Sequence, residues 1–297
     1  MRLQGRARDL LTPADGSPPV VLAEATLDIL ATPRREIMTV ASVPARPSLQ
    51  HLVGERAGGN LRALLAREVP EEKTGGTPLY LLLDDFCGAS LVAGWAWFRW
   101  NDDWLAAARQ SGTASTAGKG GNMAGICTGF APGSEALNPD GTSNRNQNFC
   151  EVGPLVHPDD PEGWHLLADQ VGVGMRRARR VDVWVEAGEL RLKAGFQDSA
   201  TVPEGGRVAI HEYRLTATAD LATGALLGLT PDPRILPYKE CPGAAANVQR
   251  MVGTPLAEMR ERVLEILPGT LGCTHLNDVL RSLAEAPVLV GCLTRRS

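Results

Sequence analysis

Leu52-Val53-Gly54 opens a succession that this chain uses twice. A helical segment at 61–67 follows it, ends at Pro70, and gives way to an apolar segment that closes on Leu91-Val92-Ala93-Gly94. The succession returns at Met251-Val252-Gly253, with a helical segment at 256–267, Pro268-Gly269 as its stop, and Val288-Leu289-Val290-Gly291 at its end. Gly54 to Gly253 spans 199 positions, Pro70 to Pro268 198 and Gly94 to Gly291 197, so the copies keep register through small indels. Arg62 falls on Arg260, and Pro33-Arg34-Arg35 upstream resembles Pro233-Arg234-Ile235. Each copy is preceded by a strand pair. A duplicated strand–strand–helix–helix unit predicts an α+β fold of two pseudo-symmetric halves packed around a shared cleft. The expected layout is a single compact domain over 1–297, with repeats at 1–95 and 181–292 and an insertion at 96–180.

Outward from the repeat, residues 2–12 and 20–30 alternate apolar with polar around the Asp15-Gly16 turn, which predicts a hairpin. Residues 35–43 read as a further strand and 79–93 as a second apolar segment. Residues 164–175 suggest a helix followed by the run Arg176-Arg177-Ala178-Arg179-Arg180, and strands are expected at 181–186, 189–197 and 207–219. The stretch 105–150 is rich in Gly, Ser, Thr and Asn, with Gly118-Lys119-Gly120-Gly121 at its centre. It lacks the Gly-Lys-Ser/Thr ending of a phosphate loop and reads as a long glycine-rich insertion, a lid or binding element.

Composition bounds the function. Hydrophobic residues make up 43% and charged residues 22%, ordinary for a globular protein. A net charge of −4 argues against a nucleic-acid partner. The arginine run could clamp an anionic ligand or be an ion-paired helix end. Met1 to Pro19 lacks the apolar core of a signal peptide, and no run suggests a transmembrane length. A cytoplasmic protein without a membrane partner is expected, its six widely spaced cysteines remaining free thiols. A homodimer is compatible with this reading.

The densest chemistry lies in Gly272-Cys273-Thr274-His275-Leu276-Asn277-Asp278-Val279-Leu280-Arg281. Leu276, Val279, Leu280 and Leu283 recur at helical spacing, Asp278 lies near His275 on the surface, and the helix N-terminus favours a neutral imidazole. A capped core helix whose Cys and His merely pack is the alternative. His211 and Tyr213 alternate onto one face of a strand, a base and a phenolic donor aimed the same way, and Asp198 one strand earlier could orient an imidazole. A cross-strand polar pair facing solvent would look the same. Trp95, Trp97, Phe98, Trp100 and Trp104 could seat an apolar ring or fill a core, and His165 beside Trp164 is a further pocket candidate. Cys241, Cys273 and His275 could hold zinc, although Cys-x-His is unusual spacing. No Gly-x-Ser-x-Gly elbow supports a serine hydrolase.

Several stretches together resemble a large bacterial family catalogued as a domain of unknown function: 5–10, 176–182, His211-Glu212-Tyr213, 236–242 and Cys273-Thr274-His275-Leu276-Asn277-Asp278. The resemblance runs over nearly the whole chain and is weakest at about 105–150. It implies a link to bacterial catabolism of aromatic or lipid-like compounds, including cofactor-free lyases that release formaldehyde from lignin-derived aromatic dimers. The expectation is then a cofactor-independent carbon–carbon lyase with acid–base chemistry on a hydroxylated aromatic. His211 or His275 acts as base, Tyr213 as donor, Asp198 or Asp278 as orienting carboxylate, and Trp95, Trp97, Trp100, His165 and Arg177 as substrate contacts. A zinc enzyme and a non-catalytic ligand-binding protein stand as alternatives.

Overall fold

The computed structural model describes residues 1–101, 122–144, 146–168 and 170–294. The chain divides into two compact units, Met1–Gly94 with Pro154–Asp169, and Trp95–Gly153 with Gln170–Ser297. Each contains an antiparallel sheet and helices, so the fold is α+β. The glycine-rich stretch falls partly outside the described residues, and Trp104 with it.

In the first unit β1 (Arg2–Leu11), β2 (Val20–Ala31) and β3 (Ile37–Val43) form a meander. Alternate residues of β2, Ala25, Leu27, Ile29 and Ala31, are buried, as the period of two requires. Helices α1 (Gly59–Glu68), α2 (Pro70–Thr74) and α3 (Pro78–Trp100) follow. The apolar segment expected at 79–93 is thus part of a 23-residue helix, long and apolar enough to cross a membrane, which corrects the expectation that no run suggests that length. Leu79, Tyr80, Leu83, Phe86 and Cys87 bury one stripe of it in the core with Leu27, Ile29, Leu49, Leu61 and Leu65.

The second unit has β4 (Cys150–Glu151), β5 (Met175–Glu186), β6 (Glu189–Thr201), β7 (Arg207–Asp220) and β8 (Leu226–Ile235). β7 pairs β6 along one edge, and β4 and β8 along successive parts of the other. The arginine run is not a helix end. It lies in β5, which pairs with β6 from Met175 onward, and the helix expected at 164–175 is not formed: its described residues up to 174 are irregular chain. Gly172 at φ 83 and Gly174 break any helical path there, and the β-branched Val181, Val183 and Val185 favour the strand. A 3₁₀ segment Cys241–Met251 and helices α4 (Met259–Ile266), α5 (Thr274–Ser282) and α6 (Ala286–Thr294) complete the unit.

One frame of main-chain bonds occurs in both units. In the first, Ile37 N donates to Glu55 O (2.9 Å), Gly54 N to Ile37 O (2.8 Å) and Gln50 Nε2 to Val40 O (3.0 Å). In the second, Leu226 N donates to Thr254 O (2.9 Å), Gly253 N to Leu226 O (2.7 Å) and Gln249 Nε2 to Leu229 O (2.7 Å). Gly54 and Gly253 share φ 88, while Arg35 and Gly224 have φ 67 and 68. Matching bulges interrupt β2–β3 at Leu30/Ala31 and β7–β8 at Thr218/Ala219. This frame aligns Ile37 with Leu226. It corrects the Pro33/Pro233 match, since Arg34 and Arg35 lie in a turn whereas Pro233, Arg234 and Ile235 lie within β8.

Candidate functional site

The inner face of the second sheet is built in cross-strand rows. Leu192 opposite Ala217 and Ala194 opposite Leu215 make apolar rows, joined by Val183 and Val181 of β5. Two rows further along β6 the face turns polar: Arg177, Asp198 and His211 stand side by side, with Arg179, Phe196 and Tyr213 in the row between. Helix α5 packs on β6 and β7 and contributes His275 and Asp278. Leu276, Val279 and Leu280 on the same helix enter the core, which fixes the direction of the other two side chains.

Arg177 is the hub of the charges. Its Nε and Nη2 each donate at 2.8 Å to the two oxygens of Asp198, and Nη1 donates at 3.0 Å to Asp278 Oδ2. Burial alone would raise the Asp198 carboxyl, but the Arg177 charge, its hydrogen bonds and His211 together hold it well below the usual carboxylate range. Asp198 therefore stays ionised at zero exposure. His211 Nδ1 lies 3.4 Å from Asp198 Oδ2, too poorly aligned for a hydrogen bond, so the contact is electrostatic.

The two imidazoles stack, ring centroids 3.5 Å apart and planes 20° off parallel, and Phe196 continues the stack at 6.1 Å from His275. Burial pushes the pKa of His211 below its ordinary value and that of His275 well below, the latter with help from His211. Both rings are neutral at pH 7. His211 Nδ1 and His275 Nε2 are buried without a hydrogen-bond partner among the described residues. An imidazole nitrogen so placed costs desolvation and is available to accept a proton or hold a cation.

The remaining expected residues divide. Tyr213 lies behind Phe196, ring centroids 6.4 Å apart, its hydroxyl directed to the Cys241 carbonyl oxygen and the Cys273 sulfur. It is not directed at the imidazole pair. Arg177 is an internal ion-pair partner, its side chain only 3% exposed, rather than an open substrate contact. Trp95 packs on Phe149, Trp97 is exposed, and Trp100 Nε1 donates to Thr201 O at 2.9 Å. None of these rings pairs with His211 or His275 among the described residues. His165 belongs to the first unit, where burial, Arg8 and Arg6 lower its pKa. Cys241, Cys273 and His275 do not converge, because His275 faces His211 while Cys273 faces Tyr213. Phe196 and Arg179, whose guanidinium lies 5.7 Å from the Phe196 ring, escaped the sequence reading. Their alternation with Asp198 and Arg177 was the available signal.

Residues 175–289 match the family model described as Protein of unknown function (DUF2889). The DUF2889 region contains all five residues of the charge and imidazole cluster, Arg177, Asp198, His211, His275 and Asp278. No curated protein and no solved structure matches the chain.

Proposed function

We propose that the chain is a cytoplasmic small-molecule enzyme whose chemistry runs at the His211–His275 pair of the DUF2889 region. Its most concrete form is a cofactor-independent carbon–carbon lyase acting on a hydroxylated aromatic, such as a lignin-derived dimer. The observation that carries this reading is the stack of two neutral imidazoles, His211 buried and His275 half-buried, each with a buried nitrogen that has no hydrogen-bond partner among the described residues, beside a carboxylate held by Arg177. A neutral imidazole takes the proton of a substrate hydroxyl. The carbon–carbon bond then breaks, formaldehyde leaves, and the electron pair stays on the carbon next to the ring until that proton returns to it. Asp198 stabilises the imidazolium formed on His211. The Phe196–His275 stack offers a flat apolar neighbour for an aromatic substrate.

Formaldehyde release from aromatic diols tests the reading. His211→Ala and His275→Ala are expected to lose turnover by about 10²–10⁴-fold, the usual worth of general acid–base catalysis, with near-native circular dichroism. Wild-type rates in both variants would overturn it, and a change in melting temperature with no turnover on any diol would favour a non-catalytic binding protein.

A second reading rests on one further observation: ligand atoms of Asp198, His211 and His275 all lie within 4.8 Å of one another. Two imidazoles and one carboxylate are a donor set for a divalent transition metal. Arg177 already forks both Asp198 oxygens, and that favours the acid–base reading.

We also propose that the two units descend from one duplicated segment as pseudo-symmetric copies, which the recurring main-chain frame supports. The proposed chemistry needs no cleft shared by the copies, since its side chains all belong to the second unit.

A further inference from the structure

Cys127, Cys241 and Cys273 come from three distant stretches and meet around Tyr213, apart from the histidine pair. A Cβ at Gly129 would stand 2.7 Å from Cys241 Sγ and 3.8 Å from Cys127 Sγ, so those sulfurs are no further apart than the sum of the two distances. The Tyr213 hydroxyl lies near the Cys273 sulfur and donates to the Cys241 carbonyl oxygen at 3.4 Å. Thr128 N donates to Gly272 O at 2.8 Å and Thr128 Oγ1 to Thr270 O at 2.9 Å, which ties the turn after Cys127 to the turn before Cys273.

The main chain around the sulfurs is arranged alike. Cys127 and Cys273 cap the helical turns Thr128–Phe130 and α5, and Cys241 is the first residue of Cys241–Met251. Main-chain amides of Gly129 and Phe130 lie near the Cys127 sulfur and those of His275 and Leu276 near the Cys273 sulfur, the same offsets in both turns, without a cap hydrogen bond in either. The Tyr238 amide lies near the Cys241 sulfur, and Cys241 N donates to Tyr238 O at 3.2 Å. Amide donors converging on sulfur stabilise a thiolate, whereas a neutral thiol is a weak acceptor and gains little from them. The side chains acting on these sulfurs include one another, Tyr213 and Glu240. Three thiolates gathered in so small a volume repel one another, so they persist there only with a cation among them.

We propose that Cys127, Cys241 and Cys273 form a binding site for a thiophilic metal ion of the zinc class. Three thiolates supply three ligands of a tetrahedral ion and leave the fourth position to water or an added ligand. Their protons are released on binding. Unlike the ligand atoms of Asp198, His211 and His275, the three sulfurs do not all lie within 4.8 Å of each other, so the ion draws them together by rotation about a Cα–Cβ bond. Cys127, only half-buried, is the entry side, and Cys241 and Cys273 are buried behind it. Gly129 is part of the site because any side chain there would displace the Cys241 sulfur.

The test uses the full-length, untagged protein and zinc or cobalt(II) alone. Zinc is expected to slow alkylation of Cys127 by about tenfold or more, leaving the exposed Cys150 at its own rate. Cobalt(II) is expected to give thiolate-to-metal charge-transfer absorption. Cys241→Ser, Cys273→Ser and Gly129→Ala should abolish both signals, while His211→Ala and His275→Ala keep them, which separates this site from the histidine pair and from any failure of the lyase reading. An unchanged Cys127 alkylation rate in zinc, or a cobalt spectrum without thiolate charge transfer, overturns the proposal on the wild-type protein, whatever the variants do. Signals lost in the histidine variants but kept in the cysteine variants would overturn it equally.

Discussion

Two carboxylates of this chain show opposite responses to burial. Asp198 has no exposure, yet the Arg177 fork and His211 keep it ionised far below its ordinary range. Asp9 in β1 has no such partner, and burial raises it to about 6. In the unfolded chain an aspartate titrates near about 3.9. The native state therefore binds more protons than the unfolded state between these values, and the stability associated with Asp9 is present below about pH 4 and lost as pH rises through about 6. Asp9→Asn should accordingly stabilise the protein at pH 7.5, by at most about 3 kcal/mol from a shift of about two units, and the gain should vanish at pH 4. Denaturant midpoints at the two pH values check this, and an equal effect at both would refute it. The histidine pair has the reverse sign: its lowered values let the unfolded chain alone take up protons below about pH 6.5, so acidification destabilises. At this scale much of the site was legible. Strand alternation alone places His211 and Tyr213 on one face and Asp198 beside them. Arg177 was read as a substrate contact and not as the partner of Asp198 and Asp278, because a run of four arginines carries no period that tells a strand edge from a solvated helix end.

Among the elements, the turns before and after β3 and β8 carry the same backbone geometry with different residues. Gly54 and Gly253 have φ 88, with nothing within 4 Å of an added Cβ, so a side chain there meets only backbone strain. Gly54→Ala and Gly253→Ala are each expected to cost about 1–2 kcal/mol, the left-handed penalty. Arg35 sits at φ 67 where the other unit has Gly224 at φ 68, and Arg35→Gly should be neutral or stabilising within about 1 kcal/mol. Thermal melts of the three variants measure this, and a large loss on Arg35→Gly would show that the arginine side chain matters more than its strain. β8 went unread in the sequence because Pro231 and Pro233 demote a strand. They are tolerated since β8 pairs only with β7 and is an edge. The helix at 164–175 failed for the converse reason: its apolar residues suggested a periodicity that Gly172 and Gly174 do not allow the chain to realise.

Over the whole molecule the burial falls into two large cores, one beneath β2 and β3 and one beneath β6 and β7. Leu65→Ala in the first and Leu280→Ala in the second should each cost about 2–5 kcal/mol, read as faster amide exchange in the strands over that core. A loss below about 1 kcal/mol at either would mean that the leucine is not packed as described. The α+β class followed from the duplicated succession, because each copy supplies both a strand period and a helix period. The main-chain frame was not legible, since Gln50 and Gln249 identify themselves only through the carbonyls they reach. That frame grips Val40 O, Leu229 O and the amides of Gly54 and Gly253, atoms that every residue possesses. A hairpin fastened in this way keeps its hold when side chains change. Under the proposed duplication, Asp198, His211 and His275 can be gained in one copy alone while the tether of both stays intact.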